Sequence, residues 1–272
     1  MKSLLIVNHF LNGEKFNNLH SHLVKSAAKQ GISMEIQTNL QAAVDFKKAD
    51  FVLFWDKDVV LARRFEKAGV PVFNSSASIR KCDNKAETYV ELNGVVKQPK
   101  TLVAPLTFFE SDFAPFIDKA IEILGLPLVF KECYGSFGAQ VYLCYTKQDI
   151  LSHINGAKPF ILQEFVAEAV GEDLRLEVVG GKVICAIRRK NKNDFRANIT
   201  NGGIAEKYIP TAEQCQIATK ACNALGLTLG GVDLLANDIV CEVNSNAHIM
   251  NIMNATGIDV APVIFEEIKS KL

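Results

Sequence analysis

Two acids and an amide, Asp233, Glu242 and Asn244, stand on a stretch whose pattern predicts a β-hairpin, Gly231-Val232-Asp233-Leu234-Leu235-Ala236-Asn237-Asp238-Ile239-Val240-Cys241-Glu242-Val243-Asn244. Asn237-Asp238 suits a two-residue turn between β-rich runs, and counting outward pairs Ala236 with Ile239 and Asp233 with Glu242. Like charges directly opposite one another are destabilising. Alternation along the strand puts Asn244 on the face of Glu242, so two carboxylates and an amide oxygen gather in one cluster. Hard oxygen donors of that kind suit a magnesium ion, which would remove the repulsion. An edge hairpin with its acids in water is the bland alternative, and the apolar flanks argue against it.

A second group lies upstream. Tyr134-Gly135-Ser136-Phe137-Gly138-Ala139 reads as a glycine-containing turn between two β-runs, and the preceding run carries Lys131 among Leu128, Val129 and Phe130. Such a loop can bring backbone N–H groups to phosphate oxygens, with the lysine as a point charge. The GxxxxGK[ST] pattern is absent, and taken alone the loop reads more readily as a plain hairpin whose lysine reaches water. Further on, Gly180-Gly181 predicts a tight turn pairing Val179 with Lys182. The same counting sets Asp173 opposite Arg188 and Arg175 opposite Ala186, with an Asp173–Arg188 ion pair as the structural interpretation. The segment from Arg188 to Asn198 is basic. Its arginines, Arg188, Arg189 and Arg196, suit carboxylate or phosphate recognition. It lacks the aromatic interleaving and wider basic field of an RNA-binding loop.

The elements that must position these residues follow from hydrophobic period. Residues 4–7, 33–37, 49–55 and 70–73 read as strands and residues 16–30 and 59–68 as helices, a small α/β unit with a parallel sheet. No GxGxxG follows the first strand, so a dinucleotide site is not expected. His9, His20 and His22 read as ordinary loop and helix-surface residues. From about Ser78 the texture becomes α+β: a helix with Lys85 and Glu87, a β-region around 95–103, a helix around 113–124, strands at 127–132, 140–145 and 159–166, a helix capped by Thr146 and Asp149, and one opened by Thr211 and Gln214. The chain of 272 residues is 49% hydrophobic, with 30 basic and 30 acidic residues. Nothing in that balance points to nucleic acid or an anionic membrane surface. The apolar run at the start is too short for a signal peptide, no segment has the ~18 to 20 apolar residues of a membrane helix, and the seven cysteines lack CxxC or metal spacing. A reducing cytoplasm is the expected compartment.

In their order and wording, PLVFKECYGSFGAQV, ILQEFVAEAVGEDLR, AIRRKNKNDFRANITNGG and GVDLLANDIVCEVNSN resemble the RimK-type, alpha-L-glutamate ligase-like branch of the ATP-grasp superfamily, over roughly residues 80–262. The resemblance implies an ATP-grasp fold, mixed α/β and α+β, behind an N-terminal Rossmann-like domain. The expected divisions are residues 1–78, a central lid subdomain at 79–162, and a C-terminal subdomain with the metal site at 163–272. It implies an ATP-dependent carboxylate-amine ligase acting through an acylphosphate on small-molecule or peptide substrates, glutamate among them. A small-molecule kinase and a non-catalytic nucleotide-binding regulator are the alternatives, and homo-oligomerisation is left open. By the same resemblance Lys85 and Lys131 contact ATP phosphates beneath the Gly135, Ser136 and Gly138 loop, which serves as the lid. Gln163, Glu164, Phe165 and Val166 line the adenine and ribose pocket, and Asp173 holds the ribose. Arg188, Arg196 and Asn198 face the reacting groups. Asp233, Glu242 and Asn244 hold Mg2+, with Mn2+ as a substitute. Where glutamate ligases of the family usually read Asn-Ala-Ser-Pro-Gly, this chain reads Asn244-Ser245-Asn246-Ala247-His248-Ile249, which locates its difference on the acceptor side.

Overall fold

The first apolar runs form β1 (Lys2–Val7), β2 (Ser33–Thr38), β3 (Phe51–Trp55) and β4 (Val72–Phe73), with α1 (Glu14–Lys29), α2 (Asn39–Val44) and α3 (Val59–Lys67) between them. All pair in parallel in the order β2-β1-β3-β4. β3 is buried at every position, as a parallel strand covered by helices on both faces must be. A computed structural model describes residues 1–272.

Helices α4 (Ser76–Asp83) and α5 (Lys85–Leu92) lead to a second sheet. It contains β5 (Thr101–Val103), β6 (Leu128–Glu132), β7 (Val141–Cys144) and β8 (Phe160–Glu164), with α6 (Ala114–Leu124) and α7 (Lys147–His153) against it. These strands are antiparallel in the order β5-β8-β6-β7. The third sheet, also antiparallel, has the order β11-β10-β9-β12-β13. Its members are β9 (Glu172–Val179), β10 (Lys182–Lys190), β11 (Ile204–Tyr208), β12 (Leu229–Leu235) and β13 (Ile239–Asn244), and α8 (Ala212–Leu225) packs on it. Helices α9 (Ile249–Thr256) and α10 (Ala261–Ser270) follow. The capping boxes of Thr146 with Asp149 and Thr211 with Gln214 form as their spacing predicts. The β-region expected at 95–103 narrows to Thr101–Val103.

Two hairpins depart from the expected register, each by a bulge. On β10 the register shifts between Val183 and Cys185, so Asp173 pairs with Arg189, and Arg188 faces Leu174. Because side chains alternate, that single extra residue exchanges Arg188 for Arg189 on the site face. Between β12 and β13 the loop holds three residues, since Leu235 rather than Ala236 pairs with Ile239. An extra residue at Cys241 then restores Asp233 opposite Glu242. Asn237 and Asp238 turn the chain with φ of 59° and 56°.

The core joins residues 1–78 to the third sheet, Cys82 and Leu92 also pack with that sheet, and the second sheet has a cluster of its own from Ala104 to Leu162. The largest cluster joins Leu5 and Leu53 of the first sheet with Val179 and Leu229 of the third and with Ile252, Ile264 and Phe265 of the last helices. Asn74 bolts the two sheets together. Its Oδ1 accepts from the N–H of Thr228 and Leu229, and its Nδ2 donates to the carbonyls of Leu229 and Ser245, which satisfies a fully buried amide. Ser245 Oγ also donates to Asp83, itself paired with Lys57 at 2.8 Å. The loop after Asn244 is therefore anchored to the first sheet, and no helix is long and apolar enough to cross a membrane.

Candidate active site

Between the second and third sheets lies a slot of about 100 Å³. Its walls include Lys131, Gly138, Gln163, Glu164, Phe165, Val166, Asp173, Arg196, Asn198, Asp233 and Glu242. Residues far apart in sequence thus converge because strands β6 and β8 of the second sheet and β9, β10 and β12 of the third line the same slot. Phe165 and Phe195 stand edge to face at 6.4 Å and make the slot's apolar end. Lys131 is only 7% exposed, with Nζ 3.6 Å from Cys241 Sγ. Gln163 commits its amide to Thr101 Oγ1 at 2.8 Å across the β5–β8 pair.

A neighbouring cleft holds Lys85 with Lys131, Gln163, Cys241 and Glu242, and Lys85 Nζ lies 3.7 Å from Glu242 Oε1. A chamber of about 550 Å³ adjoins the slot and shares Arg189, Asn198 and Glu242 with it. Ser136 and Asn244 line this chamber rather than the slot. Gly135 lines neither, and a Cβ there would meet Gln140 Oε1 at 2.3 Å, so a larger residue would have to displace the Gln140 side chain. Arg196 clasps the lid: its guanidinium donates to the Gly138 and Val141 carbonyls and pairs with Asp194 at 2.7 Å.

Arg188, expected at the reacting centre, points away. It meets Glu172 at 3.3 Å and lies over the Tyr208 ring at 4.9 Å. Arg189 takes its place in a buried quartet. It grips Asp173 through Nε and Nη2 at 2.6 and 2.7 Å and reaches Asp233 Oδ2 at 2.9 Å, while Arg175 grips Asp233 through two bonds of 2.6 Å. Bidentate pairs of this kind are strong and orient both partners. Burial alone would raise the pKa of Asp233, but Arg175 and Arg189 together hold it below the usual carboxylate range.

A profile of the RimK-like ATP-grasp domain matches residues 83–268. The chain belongs to the RimK-like ATP-grasp family. An uncharacterized protein of Mycoplasma pneumoniae is 31% identical over 250 residues, 84% of this chain and 86% of its own. Human N-acetylaspartylglutamate synthase A is 34% identical over 228 residues, covering 80% of this chain and 57% of the human protein. The Bacillus anthracis D-alanine–D-alanine ligase solved with ATP superposes with a TM-score of 0.75 at 18% identity, over 99% of this chain and 96% of that one. The fold is ATP-grasp, preceded by a Rossmann-like unit.

The residues of this RimK-like chain that would hold a magnesium ion, by the sequence expectation, are Asp233, Glu242 and Asn244. No three histidines, cysteines, aspartates or glutamates converge, so a third protein donor beside Asp233 and Glu242 would have to be of another type, such as the Asn244 amide oxygen. The set fits in type. Asp233 accepts three hydrogen bonds in the structure, one on Oδ1 and two on Oδ2, which leaves one of a carboxylate's roughly four acceptor positions.

Three residues near the site lay outside the sequence expectation. His20 is a buried chamber residue, 8% exposed, rather than a surface one. Arg175 and Glu177 were legible in principle, because Asp173, Arg175 and Glu177 alternate on one face of β9. Glu177 is 3% exposed and its Oε1 has no hydrogen bond. Burial pushes its pKa from the ordinary 4.5 up to about 7, although Arg175 draws it back. The folded state thus prefers the neutral acid, and the associated stability is present below 4.5 and lost as the pH rises through about 7. Glu177→Gln is expected to remove that loss and to be about 2–3 kcal/mol more stable than the parent at high pH, with little difference at low pH. Urea unfolding of both proteins on either side of this window checks it.

Proposed function

We propose that the chain is an ATP-dependent, ADP-forming carboxylate-amine ligase that works through an acylphosphate, with an amino acid such as glutamate among its substrates. The observation that carries this reading is the junction of slot and chamber at Arg189, Asn198 and Glu242. A nucleotide in the slot would present its terminal phosphate where a carboxylate in the chamber can reach it. Family membership supports the reaction class, and the similarity to human N-acetylaspartylglutamate synthase A supports glutamate.

In this reading Gln163, Glu164, Phe165 and Val166 bind the base side of ATP, Asp173 the ribose, and Lys85 and Lys131 the phosphates. Asp233, Glu242 and Asn244 hold Mg2+ or Mn2+, which when bound supplies positive charge between the two anionic reactants. Lys131 and Arg189 add fixed charge at the same junction. A substrate carboxylate oxygen bonds to the γ-phosphorus as the bond to ADP breaks. The amine nitrogen then bonds to the acyl carbon, phosphate leaves, and the ammonium proton is lost. Asn198 faces the reacting groups, and Arg196 holds the lid over this centre through the Gly138 and Val141 carbonyls, so that the amine reacts before water does.

The test is mass spectrometry of the purified protein with ATP, Mg2+ and a panel of carboxylates and amines. A new amide appearing with equimolar ADP and phosphate is the expected result. A stable phosphorylated product would make the protein a kinase, and nucleotide binding without ADP release from any pair would make it a non-catalytic regulator.

A further inference from the structure

We infer that Lys57 contacts the reacting carboxylate of the substrate in the chamber, and that Asp83 and Ser245 are the positioning residues that aim it. The inference rests on the ligase reading for the identity of the anion. Lys57 lies outside the family-matched span of 83–268, so the family match assigns it no role.

The topology of the first sheet singles out its place. The strand order β2-β1-β3-β4 means that the chain leaves β1 on one side to form β2 and returns on the other side as β3. The crevice beyond the carboxyl ends of β1 and β3 is therefore a topological switch point, where open parallel sheets bind their ligands. Asn8 follows β1, Asp56 and Lys57 follow β3, and all three line the chamber. Glu242 and Asn244 of β13 line it too, so one cavity joins the switch point to the proposed metal ligands.

The Lys57 side chain is 33% exposed, whereas that of its anchor, Asp83, is only 6% exposed. Asp83 Oδ1 takes the ammonium at 2.8 Å, and Oδ2 accepts from Ser245 Oγ at 2.6 Å. With both carboxylate oxygens fixed, one of the three ammonium N–H groups is held and two remain for an anion. Burial would lower the Lys57 pKa, yet Asp83 and Glu242 hold it above the usual lysine range. The side chain thus stays charged and serves as an anion anchor, not as the base that takes the amine's proton. The other cations of the wall are committed elsewhere. Arg175 and Arg189 grip Asp233 and Asp173, and Lys15 stands by the rings of Phe16 and Phe137. Asp56 is 3% exposed, its Oδ1 accepts from Asn8 Nδ2 and the Lys57 N–H, and its Oδ2 is shut off from solvent.

Trp55, the single tryptophan of the chain, stands two residues before Lys57 and lines the same chamber, so its fluorescence reports occupancy. The full chain, with Mg2+ and a non-hydrolysable ATP analogue, is titrated with succinate, N-acetyl-L-alanine and N-acetyl-L-glutamate. These acids carry no amine and can fill only the carboxylate side. At least one is expected to bind. Lys57→Met should weaken it about tenfold or more, while affinity for the ATP analogue stays within about twofold. Ser245→Ala should weaken the same acid about threefold with the analogue again unchanged. Because Lys57→Met also strands the buried Asp83 charge, Asp83→Asn is added to it, which removes that charge and restores the urea midpoint. The double variant is expected to keep the tenfold loss, and it decides alone if the single variant fails to fold. Acid binding restored in the double variant, unchanged binding in Lys57→Met, or no acid binding by the parent overturns the inference, and an unaffected Ser245→Ala overturns the aiming role. Failure of the ligase reading would show separately, as absence of amide product while the titration still separates the parent from Lys57→Met.

Discussion

Glu242→Gln is expected to lower ADP release by about a thousandfold with almost no change in stability. Glu242 lines the slot, the chamber and the Lys85 cleft together, so any phosphate crossing from nucleotide to carboxylate passes beside it. Its carboxylate is one-third exposed, and its ion pair is with Lys85 at 3.7 Å. Partly solvated pairs of that length contribute about 0–1 kcal/mol, so the fold loses little when the charge goes. Asp233→Asn should also stop turnover, yet it cannot serve as the clean test. Asp233 is 3% exposed and answers both Arg175 and Arg189, and removing its charge leaves two buried cations short of an anion, which costs about 3–5 kcal/mol. A coupled ADP assay beside urea unfolding separates the two effects. Full activity of Glu242→Gln would sink the proposed metal role.

Much of this site was legible because strands alternate and like charges avoid each other. The pairing of Asp233 with Glu242 could be deduced from fourteen residues, although by a count that was wrong twice. The loop has three residues, not two, and the bulge at Cys241 cancels the error. No such cancellation rescued the preceding hairpin, where one bulge moved every later residue of β10 to the opposite face and brought Arg189 inward. Bulges have little local sequence signature. They are set by how a strand must bend to meet its neighbours, here β9 between β10 and β12, and that is tertiary information.

The chamber was hidden for a different reason. Its walls come from the ends of β1 and β3, the start of α1, the lid, and the loop before α9, segments that look like ordinary connections when taken singly. Lys15 reads as one more helix lysine, and only the fold brings its ammonium to 5.1 Å from the Phe137 ring of the lid. The last two helices did carry signals, Gly257 after α9 and Pro262 at the start of α10. What no pattern announces is that α10 returns to pack against α1 while α9 lies on β10 and β11, so that the two helices join the core of the first sheet to the third.

The register of β10 yields the other large effect, a contrast between adjacent arginines. Arg189→Ala removes the guanidinium that joins Asp173 to Asp233, both well buried, and strands two carboxylates beside a single remaining arginine. Breaking a buried pair in this way costs about 3–5 kcal/mol, and activity should fall by at least about a hundredfold because the same side chain lines both slot and chamber. Arg189→Lys should recover only a small share, since an ammonium cannot hold Asp173 through two parallel bonds. Arg188→Ala loses a surface pair with Glu172 and contact with the Tyr208 ring, worth about 1 kcal/mol, and should keep most of its turnover. Equilibrium unfolding and ADP release of the three variants decide the matter. Had the hairpin no bulge, the effects would be interchanged, with Arg188 indispensable and Arg189 expendable, so the pair of measurements tests the bulge and the site at once.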